Sequence, residues 1–288
     1  MKYKWINKIT VIAMILSVMM LWTMTSRAAE NVPEMDHSNM EHSSPGDAGA
    51  VIVPADARDP HAYSSGYAIS SATPHNMGDQ TYMAGLMINR LEAVRAHHNT
   101  FNLVDLQGWV GKDYDRLLFK VETEIDSGKL HNARTELLWG HATAPFWNTQ
   151  LGMRHDSGEE PDQNWLALGV QGLAPYWFEV DATFYAGDQG RTAARVEAEY
   201  EMLITQKLIL QPRMEANFNG KQDATRGLGT GLTALSAGVR LRYEIQREFA
   251  PYAGVEWGGM FGKTAEYART SGAPTSITSL VAGVRLWF

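Results

Sequence analysis

From about residue 80 to the end of the chain, apolar and polar side chains alternate at a period of two, in run after run of about ten residues. A period of two belongs to extended strands, because successive side chains leave opposite faces of the backbone. Arg116 to Asp126 is the plainest run. Leu117, Phe119, Val121, Thr123 and Ile125 share one face, and Lys120, Glu122, Glu124 and Asp126 share the other, with Leu118 the exception. Ala194, Val196, Ala198, Tyr200 and Met202 alternate with Arg195, Glu197, Glu199 and Glu201. Phe178, Val180, Ala182 and Phe184 alternate with Glu179, Asp181 and Thr183. The last run, Ser279 to Phe288, places Leu280, Ala282, Val284, Leu286 and Phe288 on one face and ends on an aromatic. Outer-membrane barrels show this alternation, with lipid-facing and lumen-facing side chains taking turns.

The segments number about twelve, an even count as single-chain bacterial barrels require. They fall near 82–95, 99–111, 116–126, 133–142, 146–156, 163–173, 176–186, 191–202, 206–217, 231–245, 249–261 and 277–288. The first two alternate poorly. Pro212 cannot donate to a ladder, so it predicts a bulge or a local break in pairing. The links sort by parity. Even ones are tight: Lys112 to Asp115, Thr143 to Pro145, Ala174 to Pro175, Leu203 to Thr205 and Gln246 to Glu248. Odd ones include Ser157 to Asp162, Asn219 to Thr230 and Gly262 to Ser276. Short turns inside and long loops outside is the pattern of outer-membrane barrels, and a soluble sandwich has no cause to sort its loops this way. Aromatics gather at the short-turn ends, as an interfacial girdle would: Phe146 with Trp147, Tyr176 with Trp177, Phe249 with Tyr252, Trp287 with Phe288.

Ahead of the barrel (residues 80–288) two further regions are expected. Lys2, Lys4 and Lys8 precede an apolar run from Ile9 to Met24, and Ser26-Arg27-Ala28 has the small-x-small pattern of a cleavage site. Residues 1–28 therefore read as a secretory signal peptide. Residues 29–79 contain no Leu, Phe or Trp, bury little apolar surface and are expected to be disordered. Their only basic residue is Arg58, against eight Asp and Glu, so this tail attracts cations. The whole chain carries a formal net charge of −7, and nothing basic suggests nucleic acid. There is no Cys, which excludes disulfides, thiolate metal sites and cysteine catalysis.

The tail holds a tandem repeat. Met35-Asp36-His37-Ser38-Asn39 is followed by Met40-Glu41-His42-Ser43-Ser44. Thioether sulfur suits Cu(I), imidazole serves Cu(I) and Cu(II), and carboxylate adds a harder donor. Met35, His37, Met40 and His42 can close round one ion on a flexible chain, and His61, His75 and Met77 extend the donor supply. An incidental Met/His content in a polar tail is the competing reading, which the duplication disfavours. A signal peptide, an MDHSNMEH tail and a β-barrel body ending in GVRLWF together resemble the copper resistance protein B family. That resemblance implies a bacterial outer-membrane protein with its tail in the periplasm, copper as the bound or transported ion, and a periplasmic multicopper oxidase as partner.

Within the barrel, the polar face carries both signs of charge, from Arg90 and Glu92 through Glu122, Arg134, Glu136, Arg195, Arg213 and Glu215 to Arg240, Arg242 and Glu256. Most are expected to pair across a narrow interior. Glu197, Glu199 and Glu201, three like charges on one face of one strand, are the candidates for a cation path. His97 and His98, in the first odd link, are further candidate metal ligands. Two other functions compete. A general porin would need an unobstructed lumen. A barrel enzyme such as a phospholipase would need a Ser, a His and an orienting group together, and only Ser157 beside His155 invites that reading.

Overall fold

The computed structural model describes residues 82–96, 100–159 and 161–288. The expected signal peptide, the tail with its Met and His candidates, and His97 and His98 lie outside the described residues. The strands are β1 (Met83–Arg95), β2 (Thr100–Gly111), β3 (Asp115–Asp126), β4 (Lys129–Ala144), β5 (Trp147–Gly158), β6 (Gln163–Ala174), β7 (Phe178–Gly187), β8 (Thr192–Glu199), β9 (Met202–Leu203), β10 (Leu208–Asn219), β11 (Gly231–Tyr243), β12 (Phe249–Met260) and β13 (Ser276–Trp287). Each pairs antiparallel with its neighbours, and β13 returns to pair with β1, so the sheet closes. The result is the antiparallel barrel that the alternation predicts, with twelve staves.

Twelve staves arise from thirteen strands because one stave is interrupted. β8 and β9 both pair with β10 in a single register, Arg213 opposite Glu199 and Leu210 opposite Met202. Between them stands Pro212. The Tyr200 N–H still donates to the Pro212 carbonyl at 3.1 Å, but Pro212 has no N–H to return. The ladder lapses there, as the proline predicted. The poor alternation of the first segment also has a cause. β1 is bulged between Ile88 and Leu91, which shifts its register against both neighbours.

Periodicity fixes the two faces. Leu117, Leu137, Leu151, Leu168, Val239 and Leu280 are exposed on the outer wall, while Arg90, Glu92, Glu136, Arg213, Arg240 and Arg242 are buried inside. A greasy exterior round a charged interior suits a bilayer and would be unstable in water. Leu118, the exception on its strand, packs inside against Leu138, Ala167 and Tyr185. At the short-turn end Phe146, Tyr176, Trp177, Phe249, Trp287 and Phe288 are exposed as the predicted girdle, joined by Tyr82 and Tyr114, but Tyr252 is buried and lines the interior, so it does not belong to the girdle. Phe146 and Trp177 meet edge to face, ring centroids 6.5 Å apart.

The other end differs from expectation in two places. The β3–β4 link is a two-residue turn, Ser127 and Gly128, both at positive φ (48° and 74°), which is the hairpin geometry that follows strand twist. The strands therefore run further than the sequence pattern suggests, and His131, which falls in the link between the expected segments 116–126 and 133–142, lies in β4. The β12–β13 link contains a helix, α1 (Gly262–Thr270), which the sequence reading missed. Its Thr264 hydroxyl accepts the Gly229 N–H at 2.8 Å. Asp223 draws the neighbouring loops together, accepting from Arg191 at 3.4 Å and from Gln163 at 3.5 Å. The Thr225 hydroxyl donates to Asp223 at 2.5 Å and holds its carboxyl below the usual carboxylate range.

The last residue takes part in closure. The Phe288 N–H donates to the Leu86 carbonyl at 2.8 Å and the Phe288 carbonyl accepts from Leu86 N at 3.1 Å. Deleting Phe288 removes both bonds at the β13–β1 seam and the terminal aromatic. The amount of heat-modifiable barrel in isolated outer membranes is expected to fall several-fold, with degradation products rising. Unchanged levels of folded barrel would contradict this.

Candidate cation path in the barrel interior

Closing the sheet turns every second side chain inward, so acids and bases far apart in sequence meet across the lumen. Glu122 of β3 accepts from Arg90 at 2.8 Å and from Arg134 at 3.4 Å. It also lies 3.0 Å from Arg195 of β8. In the ladder β4, β5, β6 and β7 stand between those two strands, so the Glu122–Arg195 pair crosses the interior. Arg195 continues to Glu215 at 2.9 Å, and Arg213 joins Glu215 at 2.7 Å and Glu197 at 2.6 Å. Arg90 also holds Asp105 at 3.1 Å. Arg90, Arg134, Arg195 and Arg213 thus face Asp105, Glu122, Glu197 and Glu215, and the cluster is neutral. Desolvating such charges is costly unless every one is paired, and here every one is.

Further pairs cross at other heights. Lys120 of β3 reaches Asp181 of β7 at 2.7 Å. Tyr185 donates to Glu136 at 2.7 Å. Arg240 grips Glu92 at 2.9 Å and Glu256 at 2.6 Å. Toward the long-loop end, Arg154 makes a fork to Asp156 at 2.7 and 2.8 Å and lies over the Tyr185 ring at 4.5 Å. The interior keeps free space at several levels. A cavity of about 140 Å³ lies among Arg90, Glu122, Glu179 and Glu199, flanked by larger ones of about 420 Å³ at the long-loop end and about 450 Å³ at the short-turn end.

The three candidate carboxylates of the cation path share the inward face but not their surroundings. Glu197 is paired with Arg213 and, at 3.3 Å, Arg195. Glu201, in the gap between β8 and β9, is held by Arg242 and Arg285, each at 2.8 Å. Glu199 has no cation at ion-pair distance among the described residues and accepts from the Gln211 amide. Directly opposite it in register is Glu179 of β7, whose only described partner is the Gln171 amide at 3.5 Å. The pair Glu179 and Glu199 sets two inward carboxylates side by side with no cation at ion-pair distance among the described residues. The alternation exposed both side chains, but only the β7–β8 register shows that they face each other.

Several interior groups escaped the sequence reading. Asp105 lies on β2, where Leu103 and Trp109 also face inward and erase the polar alternation. Tyr185 lies inward among apolar neighbours in sequence. Ser157 and His155, the pair that invited an enzyme reading, are consecutive on one stave apart from Asp156 and so share a face, but the His155 ring is engaged by Asn164 at 2.8 Å. His131 is 3.2 Å from Glu159 at the long-loop end. Among the described residues no group of three or more His, Asp or Glu is arranged to hold a metal ion.

Residues 82–288 match the family described as "Copper resistance protein B precursor (CopB)". The chain is 44% identical over 219 residues to a copper resistance protein B homolog of Pseudomonas syringae pv. tomato, covering 76% of this chain and 74% of that protein. It is 40% identical over 214 residues to copper resistance protein B of Escherichia coli, covering 74% of this chain and 72% of the relative. Among solved structures, the NanC porin covers 70% of this chain and 98% of its own length, with a TM-score of 0.48 at 11% identity.

Proposed function

Because the chain belongs to the copper resistance protein B family, we propose that it captures periplasmic copper with the Met and His donors of its N-terminal tail and sequesters the ion or exports it through the barrel. The family and the fold support a copper resistance role at the outer membrane, in a family of resistance proteins rather than of enzymes. Capture by the tail is carried by one observation, the tandem Met-acid-His unit at Met35–His37 and Met40–His42. Its thioether and imidazole donors match copper in both oxidation states. In this reading residues 29–79 lie in the periplasm, the short turns face the same side, and His61, His75, Met77, His97 and His98 are auxiliary donors. A periplasmic multicopper oxidase is the partner that the family resemblance implies.

The barrel's part rests on its charge pattern. A lumen crossed by ion pairs resists free diffusion, which disfavours the general porin. Glu179 and Glu199 offer the cation a foothold inside it. Copper flux into vesicles, measured for the full chain and for a chain lacking residues 29–79, tests the proposal. Export predicts flux that falls without the tail, sequestration predicts binding without flux, and neither binding nor flux sinks both.

Glu199→Gln is the clean lumen variant, since it breaks no ion pair. It is expected to fold like the parent. If copper passes, flux should fall about tenfold or more, because a carboxylate attracts a unit cation about 4 Å away by ~1–4 kcal/mol at the effective dielectric of water or of a protein surface. The triple change of Glu197, Glu199 and Glu201 to Gln should lose flux and also stability, because Arg213 and Arg242 lose partners. Unchanged flux in the folded single variant would return Glu199 to a structural role.

A further inference from the structure

The outer wall is not equally greasy all round. On β10 the outward positions Leu208, Leu210, Pro212, Met214, Ala216 and Phe218 contain no polar side chain. On β11 and β12 the outward run is similar, from Leu235 to Tyr243 and from Phe249 to Trp257. Across the barrel, polar side chains intrude from both ends. Between Thr135 and His141 on β4 only Leu137 and Trp139 face outward. Between Thr149 and His155 on β5 only Leu151 and Met153 do.

These intruding groups are tied to one another on the wall. The His141 ring nitrogen lies 2.9 Å from the Asp115 carboxylate, and the Trp139 indole N–H donates to the same oxygen at 3.1 Å. The Thr143 and Thr149 hydroxyls are 3.0 Å apart. At the other end His155 meets Asn164 at 2.8 Å. The His141 and Asp115 side chains are 44% and 54% exposed, so the pair is presented to the surroundings and is not buried in the wall.

Strand geometry converts this into height. Antiparallel strands rise about 3.4 Å per residue, and barrel strands tilt by about 40°. The ten steps from Leu208 to Phe218 then span about 26 Å along the membrane normal, close to the usual apolar band of about 25 Å. The six steps from Thr135 to His141, or from Thr149 to His155, span about 16 Å. We propose that the β4–β5 face binds a locally thinned patch of bilayer, with the lipid headgroups of both leaflets drawn toward the midplane to reach Asp115–His141 on one side and His155–Asn164 on the other. A short apolar stretch is met by thinning the bilayer or by association with another protein. Lipid is the occupant here for two reasons. The polar groups already satisfy one another within one barrel, which leaves few donors for a second. The apolar side chains between them are long and project outward, with Met153 71% exposed, and so suit fluid chains better than a flat protein contact.

The chain has no Cys, so single cysteines can be introduced on a silent background. Thr135→Cys and Thr149→Cys, with Leu210→Cys and Ala216→Cys as controls on the tall side, would carry nitroxide labels in dioleoyl phosphatidylcholine vesicles. Depth is read from collision with oxygen and with a water-soluble nickel chelate. Labels at residues 135 and 149 are expected to read about 5 Å shallower than an undeformed band of ~25 Å would place them. Labels at 210 and 216 should read the depth of an undeformed bilayer. Hydrocarbon depth at 135 and 149 would overturn the proposal. So would shielding of both labels from both reagents together with crosslinking between copies, which would assign the face to a second barrel.

Discussion

Replacing Arg240 with Ala is expected to destabilise the folded barrel by about 3–5 kcal/mol, the usual cost of leaving a buried charge without its partner. Arg240 binds Glu92 with two bonds and Glu256 with a third, and the Arg240 and Glu92 side chains are only 3% and 1% exposed. With the guanidinium gone, Glu92 has no other cation at ion-pair distance among the described residues, and its side chain is only 1% exposed. A urea titration of the barrel in lipid vesicles, followed by heat-modifiable mobility, measures the loss. The triple variant Arg240→Met with Glu92→Gln and Glu256→Gln should recover most of it, because neither carboxylate is then left without its cation. If the single variant is as stable as the parent, the interior is wetter than the ion pairs imply.

Changing Met35, His37, Met40 and His42 together to Ala is expected to weaken Cu(I) binding at least about hundredfold. Losing even a group that only orients a metal ligand costs about 10–100-fold, and this change removes four candidate ligands themselves. Competition against a Cu(I) chelator reads the affinity, and far-ultraviolet circular dichroism checks that the barrel is intact. The barrel signal should not change, since residues 29–79 lack the apolar content to contribute to a core. Binding as tight as the parent's would move the principal site elsewhere, with His97 and His98 the next residues to replace.

Most of the architecture was legible in the sequence because one physical rule governs every stave. Each strand must show lipid one face and the lumen the other, so the alternation of Leu117 to Asp126 or Ala194 to Glu201 gives both the strand and its orientation. What escaped follows from breaches of that rule. The bulge of β1 shifts its phase, and inward Leu103, Leu118 and Trp109 hide the polar face of their strands. The Ser127–Gly128 turn lengthens β3 and β4 beyond their alternating parts. The charged interior could be foreseen as a set, but its pairing could not. That Glu122 meets Arg195 depends on the closure of the sheet, and that Glu179 meets Glu199 depends on register. Neither is written in the spacing along one strand. The tail remains a matter of composition and repeat, where donor chemistry and not geometry makes the case.

The lapse in the ladder beside Pro212 has a mechanical consequence. A closed sheet keeps its circumference because every stave is laced to the next, and its stiffness as a hoop is set by the weakest lacing. Here the rung that Pro212 cannot donate is lost between Glu199 and Met202, and this weaker segment carries Glu201, the anchor for Arg242 and Arg285. The rim at the short-turn end therefore has a compliant joint in one place, and the charges drawn tight across that mouth are fastened to it. A change in circumference at that end concentrates its strain at Tyr200 and Glu201, leaving the rest of the wall round.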